Sequence, residues 1–174
     1  EMVAAITKGM IHSSKGDKEA AEQCLQGAME LFNQNPQGLS TDIALELTDL
    51  CLSAGKEDDA NEITRNLVRN HHDDKKLIER TKKIYAAAGK SDAGDALIDK
   101  TTTEIVEINN KGAHLLKEGK LEESIELFMK AAYSIMMQMK KTGKIKKYSS
   151  RVESYLERVH NIDPANKKYH EMME

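Results

Sequence analysis

The chain has 174 residues, a formal net charge of −3 at pH 7, 39% hydrophobic residues and only 4% aromatic residues. Its slight acidity argues against a general nucleic-acid or anionic-membrane binder, and the lack of any run of 18 apolar residues argues against a membrane span. The low aromatic content and the two prolines favour helices that pack through alanine, leucine, isoleucine and methionine. The composition therefore predicts an all-α protein that binds neither nucleic acid nor membrane.

Residues 2–14 are predicted to form the first helix of a pair, because apolar residues recur there at intervals of three or four. Gly16 supplies the turn, and Asp17 is placed to cap a second helix that continues to about residue 33. A loop is predicted at residues 33–40, where a proline and a glycine interrupt the helical pattern.

Glycine turns recur along the chain at matching positions. These glycines, each followed within two residues by a lysine, are Gly16, Gly55, Gly89, Gly119 and Gly143. Five residues after the first four stand the small residues Ala21, Ala60, Gly94 and Ser124. Four residues before the same glycines stand His12, Cys51, Tyr85 and Leu115. Because small side chains let two helices approach closely, this register predicts a helical repeat array with Ala60 and Ala131 buried at helix–helix contacts.

Residues 92–117 are predicted to form one long helix that serves two successive repeats, since no glycine, proline or capping signal interrupts the apolar series between Leu97 and Gly112. Further helices are predicted at about residues 147–161 and 166–173. The approximate repeat units are 2–36, 40–73, 74–101, 102–132 and 133–174, within a single domain that spans residues 1–174. Because the sequence begins inside a helical pattern, we expect it to be a piece of a longer protein.

The last two turn glycines are too close together for a full repeat. They are 24 residues apart, which is about ten fewer than a 34-residue repeat needs. The repeat register places Ala131 late in one helix and Met139 late in the next, yet eight residues of helix cover only about 12 Å. Either residues are missing and the chain breaks near the Ala132–Tyr133 bond, or residues 121–141 form one straight helix. We expect the break.

Residues 111–132, KGAHLLKEGKLEESIELFMKAA, resemble the tetratricopeptide repeat, a helix–turn–helix unit. The family's glycine, small residue, aromatic residue and alanine correspond to Gly112, Ser124, Phe128 and Ala131. The chain departs from the family pattern in having no tryptophan, and Thr48 and Lys82 replace the first-helix glycine found at Gly9. The resemblance implies an all-α fold, a right-handed superhelix of antiparallel helix pairs. It also implies a non-enzymatic scaffold that binds a peptide or partner protein.

The same resemblance implies a concave groove that is lined by the first helices of the pairs. Its lining positions in this sequence are Asp42, Leu45, Asp49, Leu52, Glu79, Lys83, Asn109, Ala113 and Leu116. They lack the lysine and asparagine set with which one subfamily clamps the C-terminal carboxylates of heat-shock chaperones, so we do not expect that partner. For each position, the alternative is an ordinary exposed helix residue.

A second resemblance covers roughly residues 40–174 and concerns bacterial response regulators in which a receiver domain precedes a tetratricopeptide array. It is carried by EIVEINNKGAHLLKEGKLEESIELFMKAA and by the later MMQMKKTGK, LERV and DPAN. This resemblance implies a cytoplasmic role in signal transduction, in which phosphorylation of a receiver outside this chain controls what the array binds. The chain itself holds none of the receiver's acidic pocket.

The sequence contains no motif that indicates catalysis, a cofactor or a metal. None of the six histidines forms an i, i+4 pair, and neither cysteine has a nearby ligand partner. Cys24 and Cys51 fall on apolar helix positions, which predicts two buried, reduced thiols in a cytosolic protein. An RNA-binding helical repeat and an enzyme of unrecognised type are the alternatives to the binding scaffold.

Overall fold

The computed structural model describes residues 1–35, 39–141 and 150–173. Within these ranges the chain forms helices joined by short turns, with no strand, which confirms the predicted all-α fold. The helices are α1 (Met2–Ser14), α2 (Lys18–Gln34), α3 (Thr41–Ser53), α4 (Glu57–His71), α5 (Lys75–Ala87), α6 (Ser91–Lys117), α7 (Leu121–Lys141), α8 (Ser150–Ile162) and α9 (Lys167–Met173). The predicted loop residues 36–38, the turn glycine Gly143 and the predicted start of a helix at residue 147 lie outside the described residues.

Contacts divide the chain into two compact units, Glu1–Thr102 and Thr103–Glu174. Unit 1 contains α1 to α5 and the beginning of α6, and unit 2 contains the rest of α6 together with α7, α8 and α9. The long helix predicted for residues 92–117 is confirmed by α6. The repeat boundaries within the units stay a prediction.

Tight glycine turns connect α1 with α2, α3 with α4, α5 with α6, and α6 with α7. Gly16, Gly55, Gly89 and Gly119 have positive φ angles of 77°, 73°, 72° and 74°. Glycine adopts this left-handed conformation without the steric cost that a Cβ atom imposes. The residue after each glycine donates its backbone N–H to the carbonyl five residues earlier, over 3.0 Å for Asp17, 2.8 Å for Lys56 and Lys90, and 2.9 Å for Lys120. This bond satisfies a helix-end carbonyl while the chain reverses, as the glycine positions predicted.

The core of unit 1 depends on the pairing of large with small residues. Gly94 on α6 faces Tyr85 on α5 so closely that a Cβ added to the glycine would lie 2.5 Å from Tyr85 Cγ. Tyr85 is fully buried, and its hydroxyl donates a hydrogen bond to Asn61 Oδ1 on α4 over 2.7 Å. Ala60 is also fully buried, which confirms its predicted place. Small residues in the repeat register therefore do mark close helix contacts.

Unit 2 packs around Phe128 on α7. The phenyl ring covers the backbone of Gly112 on α6, where an added Cβ would overlap Phe128 Cζ. Tyr155 on α8 stacks on the same ring with 5.8 Å between the centroids, and the guanidinium carbon of Arg158 lies 5.2 Å from the Phe128 centroid. Ala131 is 8% exposed, which confirms that it is buried.

Helix α7 is continuous over residues 121–141. The predicted chain break near Ala132–Tyr133 is therefore wrong, and the alternative of one helix is correct. The physical reason is local, because no proline or glycine interrupts this stretch. In addition, Phe128, Ala132 and Ile135 continue one buried stripe in the core that α7 forms with α8.

The two cysteines are unlinked, but only one of them is fully buried. Cys51 has no exposed surface, and its Sγ lies 3.9 Å from Met29 Sδ. Burial, assisted by the negative charge of Asp59, raises the pKa of the Cys51 thiol to about 12. Cys24 is partly exposed, so the prediction of two buried thiols is wrong for it. Cys24 directly precedes the core residue Leu25 on α2. One residue corresponds to a rotation of about 100° around the helix, so Cys24 lies at the edge of the buried stripe.

Candidate partner-binding face

Four of the positions predicted to line a groove lie on α3. Asp42 is exposed and Asp49 is half-buried, whereas Leu45 and Leu52 are only 2% and 6% exposed. Helix α3 contacts α1, α2, α4 and α5, so its neighbours cover most of its surface. The two leucines belong to the core of unit 1 and leave almost no surface on which a partner could dock.

Ion pairs connect the charged positions of unit 1. Arg80 Nη1 on α5 lies 2.7 Å from Asp42 Oδ1 on α3, and Lys83 Nζ lies 3.0 Å from Glu79 Oε1 one turn earlier on α5. All four side chains are more than half exposed, so each pair contributes only about 0–1 kcal/mol. Because these pairs are weak, a charged group of a partner can replace one member of either pair. Arg80 was not among the predicted positions. The sequence signal that could have indicated its ion pair with Asp42 is the basic character of α5 beside the acidic α3.

The other three predicted positions, Asn109, Ala113 and Leu116, lie on the part of α6 that belongs to unit 2. Leu116 is 38% exposed, Ala113 is exposed and Asn109 is half-buried. Val106, which is 41% exposed, extends the same side of the helix and was not predicted. It stands 13 residues before its turn glycine, as Asp42 does in an earlier repeat. This shared distance from the turn glycine could have identified Val106 from the sequence.

Val106, Asn109, Ala113 and Leu116 together form a neutral surface, hereafter the α6 stripe. Successive members are three, four and three residues apart, so they lie along one side of the helix over about 15 Å. The stripe carries no charged residue, in contrast to the charged positions of α3 and α5. The Oδ1 atom of Asn109 is shielded from solvent and finds no hydrogen-bond partner in the described part of the chain.

A small charge cluster lies at the C-terminal end of α6. The carboxylate of Glu118 lies 2.8 Å from Lys120 Nζ and 3.1 Å from His114 Nε2. The hydrogen bond and the charge of Lys120 hold the pKa of Glu118 below its usual range. This shift favours the ionised form of Glu118.

Two further features of the part of the chain that the structure describes concern metal binding and the membrane. Among those residues, histidine, cysteine, aspartate and glutamate side chains do not form any group of three or more that could hold a metal ion. No helix among the described residues combines the length and the apolar character needed to cross a bilayer.

Comparison with known proteins shows that the beginning of the chain is similar to a known family of repeats. Residues 4–35 match the family model described as a tetratricopeptide repeat. The match falls on α1 and α2. No curated protein and no solved structure matches the chain. This match, the strand-free helices of the described ranges and their recurring glycine turns make the fold an all-α, tetratricopeptide-like solenoid.

Proposed function

We propose that the chain is a non-enzymatic scaffold that binds a peptide or partner protein through exposed sides of its first helices. Tetratricopeptide repeats generally mediate protein–protein interaction, and the match to residues 4–35 supports this class of function. The observation that carries the proposal is the α6 stripe, because exposed apolar side chains that are aligned along one side of a helix can form a binding surface.

The α6 stripe suits a partner helix better than an extended peptide. Apolar residues that alternate at intervals of three and four form the seam between two packed helices. Ala113, in the middle of the stripe, allows a second helix to approach closely, and Val106 and Leu116 can insert between its side chains. Asn109 is a polar seam position of the kind that selects one register of the partner. The ligand proposed for unit 2 is therefore an amphipathic helix with apolar residues at the same spacing.

The proposed contacts of unit 1 are of a different kind. Asp42, Asp49, Glu79 and Lys83 are retained as contact positions, and Arg80 joins them because it pairs with Asp42. Their side chains are charged and, except for the half-buried Asp49, exposed, so they suit recognition of charged groups on a partner rather than burial of apolar ones.

A finer proposal concerns the biological setting. We propose that the array is the output region of a bacterial two-component response regulator and acts in the cytoplasm, which rests on the resemblance of residues 40–174. Phosphorylation of a receiver domain in the same protein would then control access of a partner to the array. Sequencing the gene upstream of this chain tests the idea. A gene without a receiver-domain coding region would contradict it.

Photo-cross-linking tests the proposed contact on α6. Benzoylphenylalanine is introduced in place of Leu116 in the full chain, and in place of Leu121 as a matched control. Leu121 is another exposed leucine, 50% exposed, and lies outside the stripe. After irradiation in a lysate of the source organism, we expect a partner to be linked from position 116 and not from position 121. Mass spectrometry of the linked product then identifies the segment of the partner.

The identified segment is next synthesised as a fluorescent peptide and titrated with purified variants. The double variant Val106→Asp with Leu116→Asp should bind at least about tenfold more weakly, because two charges would have to be buried in the seam. Leu121→Asp should leave Kd unchanged, and circular dichroism checks that each variant is folded. Equal weakening by both variants, or a cross-link from position 121 alone, would contradict the proposed site.

A further inference from the structure

No further inference is drawn: the strongest candidate, the apolar patch that Tyr133 and Met137 form on the exposed side of α7, is an unpartnered helix face, and nothing in the structure shows what covers it.

Discussion

At the scale of single residues, Gly94 lies against Tyr85 with no room for a side chain. We expect Gly94→Ala to lower the free energy of unfolding by about 1–3 kcal/mol, because Tyr85 must shift away from its hydrogen bond with Asn61. Urea denaturation measures the change. The control is Gly27→Ala on α2, where an added Cβ meets nothing within 4 Å and should stabilise the helix by up to about 1 kcal/mol. Equal losses in both variants would contradict the close contact.

Cys24 and Cys51 are expected to differ in their reactivity as thiols. The thiolate is the reactive form, and a pKa of about 12 leaves only about 10⁻⁴ of Cys51 ionised at pH 8. Raising the pH from 7 to 9 should therefore leave the Cys51 thiol almost entirely protonated and unreactive, whereas the partly exposed Cys24 should react. A thiol titration at pH 8 should find one fast thiol in the native protein and two after denaturation. Two fast thiols in the native protein would contradict the burial of Cys51.

At the scale of elements, the turn between α3 and α4 depends on the backbone of Gly55. Its φ is +73° and an added Cβ would meet nothing within 4 Å, so a substitution there changes only the backbone preference. Gly55→Ala should lower the free energy of unfolding by about 1–2 kcal/mol. Gly55→Asn should cost less, because asparagine tolerates the left-handed region better than alanine does. Thermal denaturation that ranks asparagine at or below alanine would contradict this account.

Helix boundaries were predicted well where local signals were used and poorly where the repeat period was used. Helix α6 was expected because no breaker interrupts residues 97–111, and that reasoning was correct. Residues 121–141 contain neither proline nor glycine, yet the 34-residue period favoured a break there, and the break was wrong. A helix ends where its backbone hydrogen bonds and its buried stripe end. The repeat period describes only the usual distance between turns.

The candidate site was predictable only in part, for a similar reason. The repeat register indicates which side of a helix faces a groove, and it led to Ala113 and Leu116, which are exposed. Whether a side chain is covered depends on helices that arrive from elsewhere in the chain, and so the burial of Leu45 could not be read from the register. The pairing of Arg80 with Asp42 joins two helices, and the opposite charges of α5 and α3 were its only signal in the sequence.

At the scale of the whole molecule, the charged positions of unit 1 and the neutral α6 stripe of unit 2 predict opposite responses of binding to salt. Interactions between exposed charges are screened beyond about 10 Å at 0.1 M salt and beyond about 3 Å at 1 M. Burial of apolar surface is not weakened in this way, because it does not depend on charge. The dependence of Kd on salt therefore reports which surface a partner uses.

A partner helix that binds the α6 stripe should keep its Kd within about twofold between 0.05 and 0.5 M NaCl, as measured by fluorescence anisotropy. Lys83→Ala is the matched test of unit 1, because this side chain is 72% exposed and its removal leaves the core intact. We expect Lys83→Ala to leave Kd unchanged, since the stripe binds through apolar contact. A Kd that rises more than about tenfold with salt, together with weaker binding by Lys83→Ala, would assign recognition to the charged positions of unit 1.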